Sequence, residues 1–300
     1  MASLLAAGRP ASRRLRRREA LVGAAFVLPM LVLFLLFRFA PFLGGLGLAF
    51  GKYTLGGGFR WKGLDNFERL AHDGLFWHSL KVTLIYTVVS VPVLVAVAVG
   101  MALLVRRSFR GVRFFRAAFF LPVITSLVLA GVVFIWIFSA DGAVPRLLGS
   151  IGLSEGSWLT NDVLAIVAIA AVAIWGRFGF DMLIVLARLQ DIPRELEEAA
   201  MMDGAGAWQR FRHITLPQLR PVFFFLGVIE VIGSFQVFDA VYIMTGGGPV
   251  KATYTLGYML YDQAFKFFDF GYASAVALAL FALVLVISLV QRLILDRGSD

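Results

Sequence analysis

Ile192–Pro221 reads IPRELEEAAMMDGAGAWQRFRHITLPQLRP, a charged interruption between two long apolar runs. Pro193 can open a helix, because its missing N–H would lack an intrahelical partner there anyway. Asp191 is the candidate cap before it. Arg194 to Asp203 is rich in helix formers, and Leu196, Ala199 and Ala200 fall at i, i+3 and i+4 on one narrow apolar face. Gly204 suits a left-handed C-terminal position, where a Cβ would clash. A second short helix follows, with Trp208 and Phe211 on one side, and Pro217 and Pro221 restrict how the chain continues. The stretch is therefore expected to fold as a compact helix–turn–helix presented on one face of a membrane.

The membrane is implied by everything around it. The 300 residues are 60% hydrophobic and 16% charged, against about 45–50% and 25% in soluble domains. Six apolar segments are long enough to span a bilayer: 20–40, 79–105, 114–138, 163–187, 222–243 and 272–295. Irregular backbone and sheet edges cannot face lipid, so an all-α fold is expected. Pro29, Pro92 and Pro122 predict kinks. The domain plan is a basic tail over 1–19, a first helix and outer loop over 20–78, a five-helix core over 79–295 carrying the loop 192–221, and a short end over 296–300. The first apolar segment follows a basic tail and is too long for a cleaved signal, so it reads as a signal anchor.

Basic residues orient the chain. Six arginines lie in the tail, five in 106–116, five in 188–220 and two at the end (Arg292 and Arg297), whereas the intervening loops carry four, one and two lysines or arginines. The positive-inside rule places both termini and 192–221 in the cytoplasm. The net charge of +9 is thus a topology signal and implies no nucleic-acid partner. The outer loops are rich in glycine (Gly56–Gly58, Gly246–Gly248) and in aromatic residues from Tyr254 to Tyr272. Such aromatics mark an interfacial belt, or a glycine-lined entrance.

Several chemistries are excluded. There is no cysteine, and His72, His78 and His213 have no metal-ligand spacing, so neither a disulfide framework nor a metal site is expected. No P-loop exists: at the nearest string, Gly51-Lys52-Tyr53, Leu46 stands where the first glycine belongs and Tyr53 replaces the Ser/Thr. The chain cannot supply its own Walker site. No clustered catalytic set marks an enzyme.

Charges inside the spans carry the remaining information, because a charge at mid-bilayer is expensive and normally faces a bundle interior or a water-filled path. Arg177 and Asp181 stand at i, i+4 and can pair on one helix face. Glu230 lies within the fifth span, with Ser234 one turn on. These groups suit hydrogen bonding to a hydroxylated solute; a purely structural pair, Arg177 to Glu230, is the alternative. Arg38 can snorkel outward, and Asp239 reads as a helix-end residue.

The 192–221 stretch resembles the cytoplasmic loop of type I ABC-importer permeases, whose pattern is Glu-Ala-Ala, three residues, Gly, nine residues, Ile, one residue, Leu-Pro. Glu198, Ala199, Ala200, Gly204, Ile214, Leu216 and Pro217 match it without a gap. Trp175, Gly179-Phe180, Leu189-Gln190, Gly233–Asp239, Met244–Pro249 and Gly271–Ala275 resemble the sugar-type branch, so the likeness covers about Ser79 to the end. The resemblance implies that these loop residues, with Asp203 beside Gly204, dock on an ATPase subunit. It implies a second homologous permease, two cytoplasmic ATPases holding ATP and Mg, an extracytoplasmic solute-binding protein, and residence in a bacterial inner membrane. No cofactor is expected on this chain. By span and spacing it also brings Arg177, Phe180, Glu230 and Ser234 to a solute path, with Phe180 as an apolar wall.

The function expected is passage of a sugar or related polyol by alternating access. The alternatives are a permease for a non-sugar solute such as glycerol phosphate or an amino acid, and an ion-coupled secondary transporter, for which an inverted repeat would be the signature.

Overall fold

The computed structural model describes residues 13–54, 57–107, 109–152 and 156–295. Arg9, Arg297, the first part of the basic tail and the end segment 296–300 lie outside the described residues. Among the described residues, five helices are long and apolar enough to cross a membrane: Arg18–Ala49, Gly74–Arg106, Leu127–Gly149, Asp162–Asp191 and Phe270–Leu293. A sixth crossing among them would be a bent pair, Ala207–Gln218 and Arg220–Phe235, which meet at 63°. Below, the first, second, fourth and sixth helices are Arg18–Ala49, Gly74–Arg106, Asp162–Asp191 and Phe270–Leu295, and the fifth is Arg220–Phe235. The end of the molecule that carries 192–221 is called the near end.

Two expected spans prove to be broken. Helix Val112–Phe120 passes into a 3-10 turn at Leu121–Ile124, and helix resumes at Leu127–Phe138. Pro122 lies in that turn, where a residue without an N–H cannot complete the helical ladder. The segment expected over 222–243 ends its helix at Phe235; residues 236–238 are non-helical, and a short helix takes over at Asp239–Met244. Backbone freed in this way must find other partners. The Val237 carbonyl accepts the Thr255 hydroxyl at 3.1 Å, and Gly257 lies so close that a Cβ there would sit 2.7 Å from that carbonyl. By contrast, helix continues through Pro29 and Pro92.

The second, fourth and fifth helices form the core. At the near end Val105, Met182, Val185, Leu189, Leu219 and Leu226 make one buried cluster. At the far end Phe138, Ile169, Val241, Leu256, Met259 and Tyr272 belong to a second. The sixth helix packs on the fifth and on the far end of the first, where Phe42 meets Phe281 at 5.8 Å. No residue of the first helix's apolar window is buried, so that helix faces lipid or another chain.

The loop joining the first and second helices has more structure than its glycines imply. It folds into an antiparallel hairpin, Gly51–Thr54 with Gly58–Trp61, followed by helix Asp65–His72. Arg69 ties that helix to Asp269 at 2.6 Å, and its guanidinium lies 3.8 Å over the Tyr272 ring.

Glycine permits one close crossing in the core. A Cβ on Gly179 of the fourth helix would occupy the space of the Phe119 carbonyl on the broken third segment. Gly179→Val is expected to destabilise the folded protein by roughly 1–3 kcal/mol or more, the cost of overpacking. A thermal-unfolding scan in detergent checks this, and an unchanged midpoint would contradict the packing described.

Candidate functional site

The near-end loop is a helix–turn–helix. Ile192 is buried and ends the fourth helix's apolar face. Helix Arg194–Met202 starts after Pro193 with no side-chain cap. Asp191 does not cap it, because Asp191 is the last residue of the fourth helix. The loop helix ends at Gly204, with φ +80°. The Ala205 N–H donates to Ala200 O at 2.8 Å and the Gly204 N–H to Met201 O at 3.0 Å. This pair of reversed bonds satisfies the last carbonyls and requires the left-handed residue. A second helix begins at Ala207, widens into a π-turn over Phe211–Thr215 and continues as Leu216–Gln218.

The loop is fixed to the core by polar contacts outside the motif and by one motif residue, Ile214. Arg106, at the end of the second helix, pairs with Glu197 at 2.6 Å. Arg188 donates to the Gln218 carbonyl and side chain at 3.1 and 3.2 Å; within the loop itself, Arg210 donates to Ala205 O at 2.6 Å. Ile214 is half-buried and packs on the near-end cluster. Glu198, Ala199, Asp203, Gly204, Leu216 and Pro217 are exposed and Ala200 is half-buried. The adjacent acids Glu197 and Glu198 thus divide: one holds the loop in place, and the other faces outward.

Between the two core clusters lies a polar cavity of about 200 Å³. Tyr86 and Ser90 line it from the second helix, Arg177 from the fourth, and Glu230 and Ser234 from the fifth. Residues Gln236 to Ala240, the broken stretch, close one side. Arg177 grips Glu230 with both arms of its fork: Nε donates to Oε2 at 3.3 Å, and Nη2 makes a shorter contact with Oε1. The Glu230 side chain is 6% exposed and that of Arg177 41%. Such a buried carboxylate is tolerated because a guanidinium meets it in bidentate geometry. Ser234 Oγ lies 3.0 Å from Thr87 Oγ1 and 2.8 Å from Val231 O, clasping the fifth helix to the second.

Arg177, Glu230 and Ser234 therefore share one cavity. Phe180 does not line it: its ring centroid is 5.7 Å from the Arg177 guanidinium carbon and its side chain is partly exposed. The i, i+4 pairing of Arg177 with Asp181 is not made, because Arg177 is taken by Glu230. Asp181 is fully buried, and both of its carboxylate oxygens lack a hydrogen-bond partner. Asp239 opens the short far-side helix and lines the cavity. Sequence reasoning missed Tyr86, Ser90 and Thr87. Their signal was present: Ser79, Thr83 and Thr87 recur every four residues through an apolar run, as do Tyr86 and Ser90, and all five are buried.

On the far side a second network braces the segment that closes the cavity. Lys266 pairs with Asp262 at 2.7 Å and donates to the Tyr258 hydroxyl at 2.9 Å. These bonds hold its ammonium above the usual lysine range. Tyr254 donates to Asp262 at 2.8 Å, and burial, then this bond, push its phenol up. A larger groove of about 620 Å³ runs between the first and sixth helices, walled by Phe42, Leu46, Phe265 and Phe281. No charged side chain lines it, so it lacks the ion pair of the smaller cavity.

Residues 80–298 match the family described as the binding-protein-dependent transport system inner membrane component. The chain belongs to that family. It is an ABC-importer permease, a multi-pass protein of the bacterial plasma membrane, and the match sets aside an ion-coupled secondary transporter. The permease is 37% identical to the probable ABC transporter permease protein YesP of Bacillus subtilis, over 91% of this chain and 90% of that protein. It is 36% identical to the lactose transport system permease protein LacF of Rhizobium radiobacter, over 92% and 95%. Its fold superposes with a TM-score of 0.82 and 25% identity on a chain of a bacterial ABC transporter that imports the acidic polysaccharide alginate, covering 96% of this chain and 100% of that one.

Proposed function

We propose that this permease passes a sugar or related polyol into the cell by alternating access, through the cavity at Arg177 and Glu230. The single observation that carries this reading is the placement of that cavity. It is the polar interruption in the three-helix core, and the fourth helix runs unbroken from it to the exposed loop. Movement of the loop therefore reaches the cavity through one rigid element.

The lining suits a hydroxylated solute. Glu230 accepts hydroxyl hydrogens, Arg177 donates, and Tyr86, Ser90 and Ser234 do either. Phe180 then acts on the guanidinium, as a cation–π neighbour, rather than on the solute. The relatives transport lactose in one case and alginate in another, which supports a carbohydrate over an amino acid or glycerol phosphate.

The exposed motif residues Glu198, Ala199, Asp203, Gly204, Leu216 and Pro217, backed by half-buried Ala200 and Ile214, form the docking surface for an ATPase. The working assembly is this chain, a second homologous permease, two cytoplasmic ATPases that hold ATP and Mg, and a binding protein outside that delivers the solute. The loop accordingly lies in the cytoplasm, the side assigned by basic residues.

Purification from a native membrane tests the assembly. Mass spectrometry is expected to find an ATPase, a second permease and a sugar-loaded binding protein with this chain. Stripped of them, the chain is expected neither to bind nor to hydrolyse ATP, since it has no phosphate-cradling loop. Stoichiometric ATP binding by the isolated chain would overturn the division of labour, and a binding protein loaded with an amino acid would overturn the sugar.

A further inference from the structure

One acid beside the cavity, outside its lining, is left unexplained. Two acids, Glu230 and Asp181, lie within electrostatic range of one guanidinium, that of Arg177. Glu230 holds it in both arms, while Asp181, fully buried on the fourth helix, has no partner for either oxygen. A buried carboxylate without a partner is costly. Asp181 stands one helical turn from Arg177, and Cβ atoms so spaced lie about 5–6 Å apart, within the reach of an arginine side chain.

The second acid makes no hydrogen bond in the arrangement seen, but it suits another. The Arg177–Glu230 bridge ties the fourth helix to the fifth across the cavity, so any motion that parts these helices must break it. Breaking it in place would strand the buried Glu230 carboxylate and leave the half-exposed Arg177 without its partner. A seat for Arg177 on its own helix removes that barrier, because the guanidinium can leave Glu230 without becoming unpaired.

We propose that Arg177 exchanges partners during the transport cycle, from Glu230 in the arrangement seen to Asp181 when the helices separate and Glu230 is released to the solute. Asp181 is thus a positioning residue that acts through Arg177. The inference rests on reading this cavity as the solute path.

The test uses the whole complex with its ATPases, second permease and binding protein, trapped with a non-hydrolysable ATP analogue, and its structure determined. Arg177 is expected within hydrogen-bond distance of Asp181 and detached from Glu230. Arg177 still on Glu230, or on the solute, with Asp181 bare, would overturn the exchange. Uptake supplies the second readout. Asp181→Asn keeps the shape and removes the charge, and is expected to slow uptake per folded complex roughly tenfold, the scale of one charge-assisted hydrogen bond, while Asp181→Glu restores it. Full uptake in Asp181→Asn would overturn the proposal. If Asp181→Asn fails to assemble, the trapped wild-type structure decides. Solute found elsewhere in a complex whose Arg177 has moved would refute the solute path and leave the exchange standing.

Discussion

Uptake per folded complex is expected to fall roughly ten- to a hundredfold when Glu230 becomes Gln, because a carboxylate that accepts charge-assisted hydrogen bonds is worth about 1.5–3 kcal/mol. The binding protein should still bind its solute, and the ATPases should still dock. Arg177→Ala is expected to be worse for folding. It leaves the Glu230 carboxylate buried without a partner, a situation that costs about 3–5 kcal/mol, lessened here because Arg177 reaches solvent. The charge-swapped double, Arg177→Glu with Glu230→Arg, separates structure from transport. A pair that serves only to hold the fourth helix to the fifth would regain both folded yield and uptake on swapping. A solute site regains yield alone, since acceptor and donor now face the wrong parts of the solute. Full uptake in the swap would remove the site assignment while leaving the family membership untouched.

Loss of coupling is the second large effect. Gly204 has φ +80° and closes the loop helix through two reversed hydrogen bonds. A β-branched residue is strongly disfavoured there, so Gly204→Val is expected to unwind the end of the helix that presents Ala199 and Ala200. Glu198→Lys leaves the helix intact and reverses the charge of an exposed side chain. Both variants should insert and fold, and both should lose solute-stimulated ATP hydrolysis in the reconstituted complex. Glu197→Gln is a useful contrast. It weakens the loop's attachment to Arg106 without altering the exposed surface, so docking should persist with reduced coupling. Normal coupling in both Gly204→Val and Glu198→Lys would show that the loop docks elsewhere.

Much of this was legible in the chain. The loop helix and its left-handed stop at Gly204 followed from local rules, helix formers ended by a residue without a Cβ, and the structure has both. The long helices followed from apolar length alone. The breaks did not, because hydropathy is blind to backbone geometry. Residues 236–238 are as apolar as their neighbours apart from Gln236, and their irregular path is stabilised by Thr255 and Gly257, some twenty residues away. Pro122 signalled the other break but was read as a kink.

At the cavity, Arg177 and Glu230 were visible because charges are rare in spans. Their pairing with each other was one of two readings, and the helix-face pairing of Arg177 with Asp181, which spacing allows, is not made because Arg177 is held by a partner on another helix. Phe180 was placed by span and spacing, and its ring lies beside the Arg177 guanidinium but outside the cavity lining. Tyr86 and Ser90 were overlooked because hydroxyls in an apolar helix are weak signals until a cavity is seen beside them.

The most direct test of the account is uptake into proteoliposomes containing the purified complex, with the binding protein and its sugar outside and ATP enclosed on the side of the 192–221 loop. The account predicts accumulation that requires both ATP and the binding protein and that an imposed proton or sodium gradient cannot replace. Accumulation driven by a gradient without ATP would contradict it.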